Sequence, residues 1–486
     1  MPGSPSVAAA TVGWRFDNTY ARLPEGFFAR VLPAPVRAPA VVLVNHALGD
    51  AMGLATRALS AEDAAALFAG QMIPPGADPI AQAYAGHQFG GFTVLGDGRA
   101  ILLGEHRTPD GRLLDVQFKG SGPTPYSRRG DGRAALGPML REYVVSEAMH
   151  ALGIPTTRSL AVVTTGEPVY RDRVLRGAVL TRVAASHVRV GTFEYFAAHR
   201  QVDALRTLVA YVVERHFPGL AGRPDAALAL LAAVRDAQAT LVARWMGVGF
   251  VHGVMNTDNM AVSGETIDYG PCAFLDRYHP DTVFSSIDHM GRYAYAQQPG
   301  IAQWNLARFA EALLPLLDDS REAAIALAKE VVHAFPARFE AAWLAVMRGK
   351  LGLAEAHPDD GALAAGLLAW MEATGADFTN TFRALATGAP GDGAPAKWLG
   401  EWRARLAAEG RTDADARDAM RRANPVVVPR NHVVEAALAA AERDDGGPLT
   451  ALLASVTRPY EDGPWHDGQR GPAPEDAEPY RTFCGT

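Results

Sequence analysis

The segment His252-Gly-Val-Met-Asn-Thr-Asp-Asn259, with Asp268-Tyr-Gly270 shortly after it, is the part of the sequence that decides the fold. It lies in a non-helical island, residues 249–275, between two long helical patterns. Asn259 and Asp268 offer an amide oxygen and a carboxylate, which are ligands that Mg²⁺ and Mn²⁺ prefer. The island therefore predicts catalytic and metal-binding loops at 249–275, although Asp-Tyr-Gly alone is also compatible with an ordinary turn.

The pattern on the N-terminal side of the island is that of an antiparallel sheet. Short apolar runs alternate with glycine turns, and Gly96-Asp97-Gly98 is predicted to be a hairpin between two of them. One helix is predicted from about Pro138 to Leu152. The predicted strands are Val41–Val44, Phe92–Leu95, Ala100–Leu103, Leu113–Phe118, Leu160–Thr164 and Gly177–Thr181.

Beyond about residue 195 the pattern is helical apart from the island. Amphipathic runs predict long helices at Ala204–Phe217, at Asp225–Met246 and between Ala302 and Arg348. A small antiparallel sheet followed by many helices places the chain in the α+β class. We expect an N-terminal extension packing on the core at 1–79, a sheet lobe at 80–190, a helical lobe with extra helices at 191–456 and a C-terminal tail at 457–486.

Composition limits the classes of function. The chain has 486 residues, of which 48% are apolar and 20% charged, and this composition is globular. Its formal net charge of -7 provides no general basic surface for nucleic acid, and two cysteines are too few for a disulfide framework. Apolar runs such as 226–234 are shorter than a membrane span, and residues 1–12 lack the pattern of a secretory signal. We therefore expect a cytoplasmic protein without nucleic-acid or membrane partners.

Lys119 closes the predicted strand 113–118, about 20 residues after the glycine turn. Kinase-like folds place a cation on the nucleotide phosphates in this way, although a lone lysine there also fits an exposed strand end. On the following helix, Glu142 lies within about 60° of the apolar face, whereas Glu147 points to the opposite side. An inward carboxylate needs a buried cation, so Glu142 is the predicted partner of Lys119.

The order of these features predicts a protein-kinase-like two-lobed fold. The parts that follow one another along the chain are the glycine turn, Lys119, Glu142, Asn259 and Asp268. Small-molecule-phosphorylating relatives of kinases have His-Gly-Asp where this chain has His252-Gly-Val254, so the aspartate that accepts the substrate proton in a kinase is missing. Asp258 is the only nearby carboxylate that could replace it.

Two arginine-bearing segments add positive charge. Residues 127–133 form a basic glycine loop, and Arg182 and Arg189 flank the end of a predicted strand. Guanidinium groups suit the recognition of di- and triphosphates, although a solvated surface loop would show the same composition. More basic residues than a kinase needs indicate an unusual position of the phosphates.

With these motifs the chain resembles the selenoprotein O family of protein adenylyltransferases, which are also described as pseudokinases. The resemblance is strongest over residues 80–300 and rests on long, specific strings. These strings are Tyr84-Ala-Gly-His-Gln-Phe-Gly90, Leu95-Gly-Asp-Gly-Arg99, Phe118-Lys-Gly-Ser-Gly-Pro-Thr-Pro-Tyr-Ser127, Arg129-Gly-Asp-Gly132, His252 to Asn259, and Asp268-Tyr-Gly-Pro271.

The resemblance implies that ATP binds flipped relative to a kinase, so that AMP is transferred to Ser, Thr or Tyr hydroxyls of proteins and pyrophosphate leaves. It implies Asn259 and Asp268 as ligands of Mg²⁺ or Mn²⁺, and Asp258 as the catalytic proton acceptor. The nucleotide contacts that it implies are Gly96, Gly98, Arg99, Lys119, Asp131, Gly132, Arg182, Arg189 and Asp268.

The resemblance also implies redox chemistry at the C-terminus, because Cys484 corresponds to the selenocysteine of the animal members. The alternative is an incidental tail cysteine. Some bacterial relatives place a second cysteine a little beyond Asp-Tyr-Gly, where this chain has Phe284, and its own Cys272 directly follows Pro271. Cys272 and Cys484 are therefore possible redox residues that could form a disulfide on oxidation.

Two other functions compete with AMP transfer. One is an atypical kinase that transfers the γ-phosphate, against which Val254 argues. The other is an inactive nucleotide-binding scaffold, against which the presence of Lys119, Asn259 and Asp268 argues.

Overall fold

The computed structural model describes residues 12–387, 393–474 and 476–482. Within these ranges, twelve strands and fifteen α-helices form a sheet layer and a helical layer, which confirms the α+β class. The strands are β1 Phe28–Arg30, β2 Ala40–Val44, β3 Ile80–Gln82, β4 Ala85–Gln88, β5 Gly91–Val94, β6 Ala100–Arg107, β7 Leu113–Lys119, β8 Ala134–Ala135, β9 Arg158–Tyr170, β10 Val174–Ala184, β11 Phe250–Val251 and β12 Ala273–Phe274. The helices are α1 His46–Met52, α2 Ala61–Phe68, α3 Leu136–Ala151, α4 Val190–Ala198, α5 Val202–His216, α6 Ala226–Gly247, α7 Gln298–Leu313, α8 Arg321–His333, α9 Phe335–Leu351, α10 Asp360–Thr374, α11 Phe378–Thr387, α12 Ala396–Ala408, α13 Asp413–Ala423, α14 Asn431–Ala441 and α15 Gly447–Val456.

Eight strands form the main sheet, in the order β1-β3-β6-β7-β10-β9-β2, with β8 beside β10. The pairings are antiparallel. Side chains alternate between the two faces with the period of 2 that a strand imposes. On one face Phe118 and Val179 pack with residues of α1 and α2, and on the other Val162 and Leu180 pack with residues of α3. The central strands are therefore buried on both faces.

The turn at Gly96-Asp97-Gly98 is not the hairpin that the sequence predicted. β5 pairs with β4 in a separate two-stranded ribbon, whereas β6 pairs with β3 and β7. The physical reason is the buried carboxylate of Asp97, whose Oδ2 accepts a hydrogen bond from Gln82 N at 3.0 Å. Asp97 N also donates to Gln82 O at 2.9 Å. These two bonds hold the turn against β3, so that β5 and β6 cannot pair.

Helix α3 is buried on nearly all sides rather than along one face. Glu147 lies on the side opposite Glu142, as expected, yet it is also buried and pairs with Arg158 at 2.6 Å. Leu438 of α14 and Leu452 of α15 belong to the same apolar cluster as the outer side of α3. This packing joins segments about 300 residues apart, so it cannot be predicted from the sequence pattern of α3 alone.

Helix α6 is the core helix of the helical layer. By length and composition it is also apolar enough to cross a membrane, contrary to the expectation from the short apolar run at 226–234. Half of the most apolar stretch of this helix is buried inside the fold. Leu230, Leu231 and Val234 are fully buried. It lies against α5, α7 and α9, and this packing accounts for its apolar character.

The C-terminal segment packs on the fold as far as residue 482, instead of extending from it. His466, in a short 3₁₀ turn at Pro464–His466, is fully buried. Thr482 Oγ1 donates to Pro271 O at 2.8 Å, next to the Asp-Tyr-Gly segment. Cys484 lies outside the described residues, so its predicted redox role stays a prediction.

Candidate active site

A cavity of about 530 Å³ lies between the main sheet and the loops at 252–271. It brings together every residue that was predicted to contact the nucleotide or metal or to accept the proton. Its wall includes Gly96, Gly98, Arg99, Lys119, Asp131, Gly132, Arg182, Arg189, Asp258, Asn259 and Asp268. Glu142 contributes to a neighbouring cavity of about 790 Å³, which Lys119 also lines.

Asp268 is the anion at the centre of a buried charge cluster. Its Oδ1 lies 3.1 Å from Lys119 Nζ and 2.5 Å from Arg182 Nη2, and its Oδ2 accepts from Arg189 Nη1 at 2.9 Å. Glu142 is the second anion, with Oε2 2.6 Å from Lys119 Nζ and Oε1 2.8 Å from Arg182 Nε. Lys119, Arg182 and Arg189 thus share two carboxylates, and this arrangement groups three cations where an anionic ligand could contact them.

Both carboxylates of this cluster are held in the charged form. Burial alone would raise the pKa of Asp268, but the charges of Arg182, Lys119 and Arg189 outweigh burial and hold it well below its usual value. The pKa of Glu142 is lowered in the same way by Arg182 and Lys119 against the effect of burial. Asp268 also has a φ of 63°, a left-handed conformation that is rare outside glycine and typical of functional sites.

Internal hydrogen bonds shape the loop at 252–259. His252 Nε2 donates to Ile267 O at 2.9 Å and ties this loop to the Asp-Tyr-Gly segment. Burial lowers the pKa of His252, which fits a neutral ring in this bracing role. Asn259 Nδ2 donates to Val254 O at 3.0 Å. Because the amide nitrogen is used in this way, the amide oxygen of Asn259 is the atom that can bind a cation.

Asp258 is a buried carboxylate with one unsatisfied oxygen. Its Oδ1 has no hydrogen-bond partner within the described residues. Burial raises the pKa of Asp258 to about 6, against the charge of Arg189. Strand β4 lies directly over it, and a β-carbon in place of Gly86 would collide with the carboxylate. A buried carboxylate with a raised pKa and an unused oxygen has the properties of a proton acceptor.

The glycine-bearing turns of the wall depend on close backbone approaches. Gly132 has a φ of 66°, and a β-carbon there would overlap the backbone of Gly122. Gly96 has a φ of 128° and lies against the ring of Tyr126. These positions therefore exclude side chains.

Two predicted nucleotide contacts lie away from the charge cluster. Asp131 is exposed at the rim, where it pairs with Arg171 at 2.9 Å. Arg99 lines both this cavity and the neighbouring one. The structure therefore places Asp131 and Arg99 at the edge of the site, and Lys119 and Arg182 inside it.

Several contacts of the β4–β5 ribbon were missed by sequence reasoning. His87 N donates to Thr257 Oγ1 at 2.7 Å, and His87 Nδ1 lies 2.5 Å from Glu194 Oε1. The guanidinium of Arg189 lies 4.6 Å from the centre of the Tyr84 ring. The only available signal was the string at 84–90, to which no chemistry was assigned, because its partners are distant in the sequence.

Cys272 is fully buried beside the charge cluster. Burial raises the pKa of its thiol to about 11, so the group is a protonated thiol at neutral pH. Arg141 Nη2 donates to the backbone oxygen of Cys272 at 2.6 Å. The proposed pairing with Cys484 stays a prediction.

The oxygen donors of the wall fit a divalent cation. Asn259 supplies an amide oxygen, and Asp268 and Asp258 supply carboxylates. Within the described residues, no group of three or more histidine, cysteine, aspartate and glutamate side chains could hold a metal. A site with few protein ligands is typical of Mg²⁺ that is bound together with substrate phosphates.

Buried cations beside hard oxygen donors are the arrangement by which enzymes that act on nucleoside polyphosphates bind phosphates and a divalent cation. A family model described as "Protein adenylyltransferase SelO" matches residues 11–457, and the chain belongs to this family. The resemblance that the motifs indicated is therefore confirmed.

The chain is similar along its whole length to bacterial proteins named "Protein nucleotidyltransferase YdiU". It is 58% identical to the protein of Geobacillus kaustophilus, over 98% of this chain and 99% of that relative. It is 55% identical to the protein of Nitrosococcus oceani, over 100% of both chains. It is 56% identical to the protein of Syntrophotalea carbinolica, over 98% of both chains.

Proposed function

We propose that this protein transfers AMP from ATP to Ser, Thr or Tyr hydroxyls of proteins and releases pyrophosphate. Membership of the SelO family and full-length similarity to protein nucleotidyltransferases support this reaction. The observation that carries it is the cluster of Lys119, Arg182 and Arg189 around Asp268, beside a catalytic loop that has Val254 in place of a kinase aspartate.

The proposed fold is kinase-like and two-lobed. Lys119 at the end of β7 and Glu142 on α3 form the ion pair of the sheet lobe, 80–190, while Asn259 and Asp268 belong to the helical lobe, 191–456. The described residues of the segments 1–79 and 457–486 add to this core in the proposal. The cavity between the two parts is the nucleotide site in this proposal.

The cation cluster explains why ATP would bind flipped. Lys119, Arg182 and Arg189 are all buried and share Asp268 as an anion. The β- and γ-phosphates carry more negative charge than this carboxylate, so they would take its place on the cations. The glycine turns at 96–98 and 130–132, with Arg99 and Asp131 at the rim, would then contact the rest of the nucleotide.

The transfer is an in-line displacement at the α-phosphorus. The acceptor oxygen forms a bond to this phosphorus while the bond to the bridging oxygen breaks, and pyrophosphate leaves. The proton of the acceptor hydroxyl passes to the carboxylate of Asp258, which lines the cavity. Lys119 and the two guanidinium groups stabilise the charge that develops on the leaving pyrophosphate.

We propose Asn259 and Asp268 as the ligands of Mg²⁺ or Mn²⁺, which would neutralise phosphate charge when bound. Both oxygens of Asp268 now contact cations. Phosphates that attract these cations would release Asp268 for its role as a ligand. The protein's partners in this proposal are ATP and acceptor proteins in the cytoplasm, without nucleic acid or membrane.

Mass spectrometry of an acceptor protein tests this function. After incubation with ATP and either Mg²⁺ or Mn²⁺, we expect the mass increase of an AMP adduct, and no adduct with Asp268→Ala. A phosphate adduct would instead establish the atypical kinase. The absence of any adduct, with ATP still bound, would establish the inactive scaffold.

A further inference from the structure

Large apolar side chains are exposed on the two segments that border the active-site cavity. Phe89, at the turn of the β4–β5 ribbon, is 41% exposed, and Ile287 and Met290, in the loop that follows Phe284, are 51% and 92% exposed. Phe89 and Ile287 line the cavity that contains Asp258. Exposed apolar groups that cluster beside a site indicate a surface that binds a partner.

The backbone around Phe89 is held in place by the catalytic loop. Phe89 N donates to Asn256 Oδ1 at 3.2 Å, and Tyr293 Oη donates to the same oxygen at 2.6 Å. The rings of Phe89 and Tyr293 meet edge to face at 5.1 Å between centres. Phe89 also has a φ of 50°, so its outward position is maintained by these contacts against a backbone preference.

The loop that carries Ile287 and Met290 is braced as well. The buried carboxylate of Asp288 accepts from Arg292 N at 2.9 Å and from Tyr293 N at 2.8 Å. Ser286 N donates to Thr482 O at 2.9 Å, which ties the loop to the C-terminal segment. The loop therefore presents two apolar side chains to solvent from a fixed backbone.

We infer that Phe89, Ile287 and Met290 form the docking surface for the acceptor protein, and that this surface selects hydroxyl residues flanked by apolar side chains. The inference rests on the proposed function, because an acceptor hydroxyl must enter through the mouth of the cavity to reach Asp258. An extended segment laid across the mouth places one residue in the cavity and its neighbours on the apolar groups. We call these three residues the apolar rim.

The test uses two peptides that each contain a single tyrosine. The apolar peptide has leucine and isoleucine beside the tyrosine, and the polar peptide has glutamine and glycine. We expect kcat/KM for AMP transfer to favour the apolar peptide about tenfold, since burial of one large apolar side chain is worth about this factor. Met290→Gln and Ile287→Gln should each raise KM for the apolar peptide about fivefold to tenfold. Met290 is not among the described residues that line the nucleotide cavity, so Met290→Gln should leave KM for ATP unchanged.

The matched control is Leu32→Gln. Leu32 is 62% exposed and, among the residues described, lies on no wall of the active-site cavity. This change should alter neither peptide's KM. Equal KM values for both peptides, or equal effects of Leu32→Gln and Met290→Gln, would overturn the inference while leaving AMP transfer established.

A binding measurement separates docking from chemistry. A fluorescent apolar peptide with phenylalanine in place of tyrosine accepts no AMP, so its anisotropy reports docking alone. We expect it to bind the wild-type protein and to bind Met290→Gln about tenfold more weakly. AMP transfer that fails with every acceptor, while this peptide still binds, would refute the proposed function and not the docking surface. Sedimentation that shows a dimer in the wild type and a monomer in Met290→Gln would identify the apolar rim as a self-association face and overturn the inference.

Discussion

Glu142→Gln isolates the contribution of the buried charge cluster, and Glu147→Gln is its matched control on the same helix. Both glutamates are buried, at 2% and 5% exposure, and each accepts charge-assisted bonds from a guanidinium. Only Glu142 also contacts Lys119, at 2.6 Å. Removing one charge of a buried pair costs about 3–5 kcal/mol of folding stability. Both variants should therefore lose stability by similar amounts.

Their activities should differ. Without the Glu142 charge, Lys119 and Arg182 would keep their ion pairs with Asp268. Both cations would then shift toward Asp268, which must be released from them to bind the metal. A displacement of about 1 Å at a reacting group costs about 10²-fold in rate. We expect Glu142→Gln to lower kcat for AMP transfer by this factor, and Glu147→Gln to change it less than about twofold.

The assay combines urea unfolding with AMP transfer measured at a temperature at which both variants are folded. Equal losses of activity in the two variants would mean that α3 acts only through its stability. Wild-type activity in Glu142→Gln would mean that the position of Lys119 does not matter. Either result would refute the role of the cluster.

Three other substitutions give separate expectations. Asp268→Ala should lower transfer by orders of magnitude and weaken metal-dependent ATP binding, and calorimetry that shows unchanged binding would contradict the ligand assignment. Asp258→Asn should lower kcat much more than ATP affinity, because a proton acceptor acts in the transition state, and an equal loss of both would contradict that role. Lys350 is buried against the rings of Phe378 and Phe382, and burial lowers its pKa to about 7. The unfolded chain then binds more protons between about pH 7 and 10.5, so the free energy of unfolding should rise with pH across that window. Lys350→Met should remove this rise and stabilise the protein at pH 7 by on the order of 4 kcal/mol, and an unchanged pH profile in urea unfolding would contradict it.

The sequence was sufficient where the information is local. Alternation and glycine turns predicted β6, β7 and the other central strands, and helical periodicity placed Glu142 on the side of α3 that faces Lys119. Asn259 and Asp268 are close together in the sequence, and this short separation predicted that their two loops are neighbours. These features depend on residues close together in the chain.

Contacts between distant segments could not be predicted in this way. The β4–β5 ribbon lies over Asp258 through Gly86, and nothing at 84–90 identifies residue 258 as its neighbour. The prediction of a hairpin at 96–98 was wrong because Asp97 accepts a hydrogen bond from Gln82, which holds this turn against β3. Arg182 and Arg189 were predicted as phosphate contacts, but their pairing with Asp268 depends on tertiary packing.

AMP transfer is distinguished from phosphate transfer by comparing ATP labelled at the α-phosphate with ATP labelled at the γ-phosphate. Each is incubated with the protein, a divalent cation and an acceptor protein, and the label on the acceptor is counted. We expect the acceptor to gain the α-label alone, with one pyrophosphate released for each AMP transferred. An acceptor that gains the γ-label, with ADP as the second product, would contradict it.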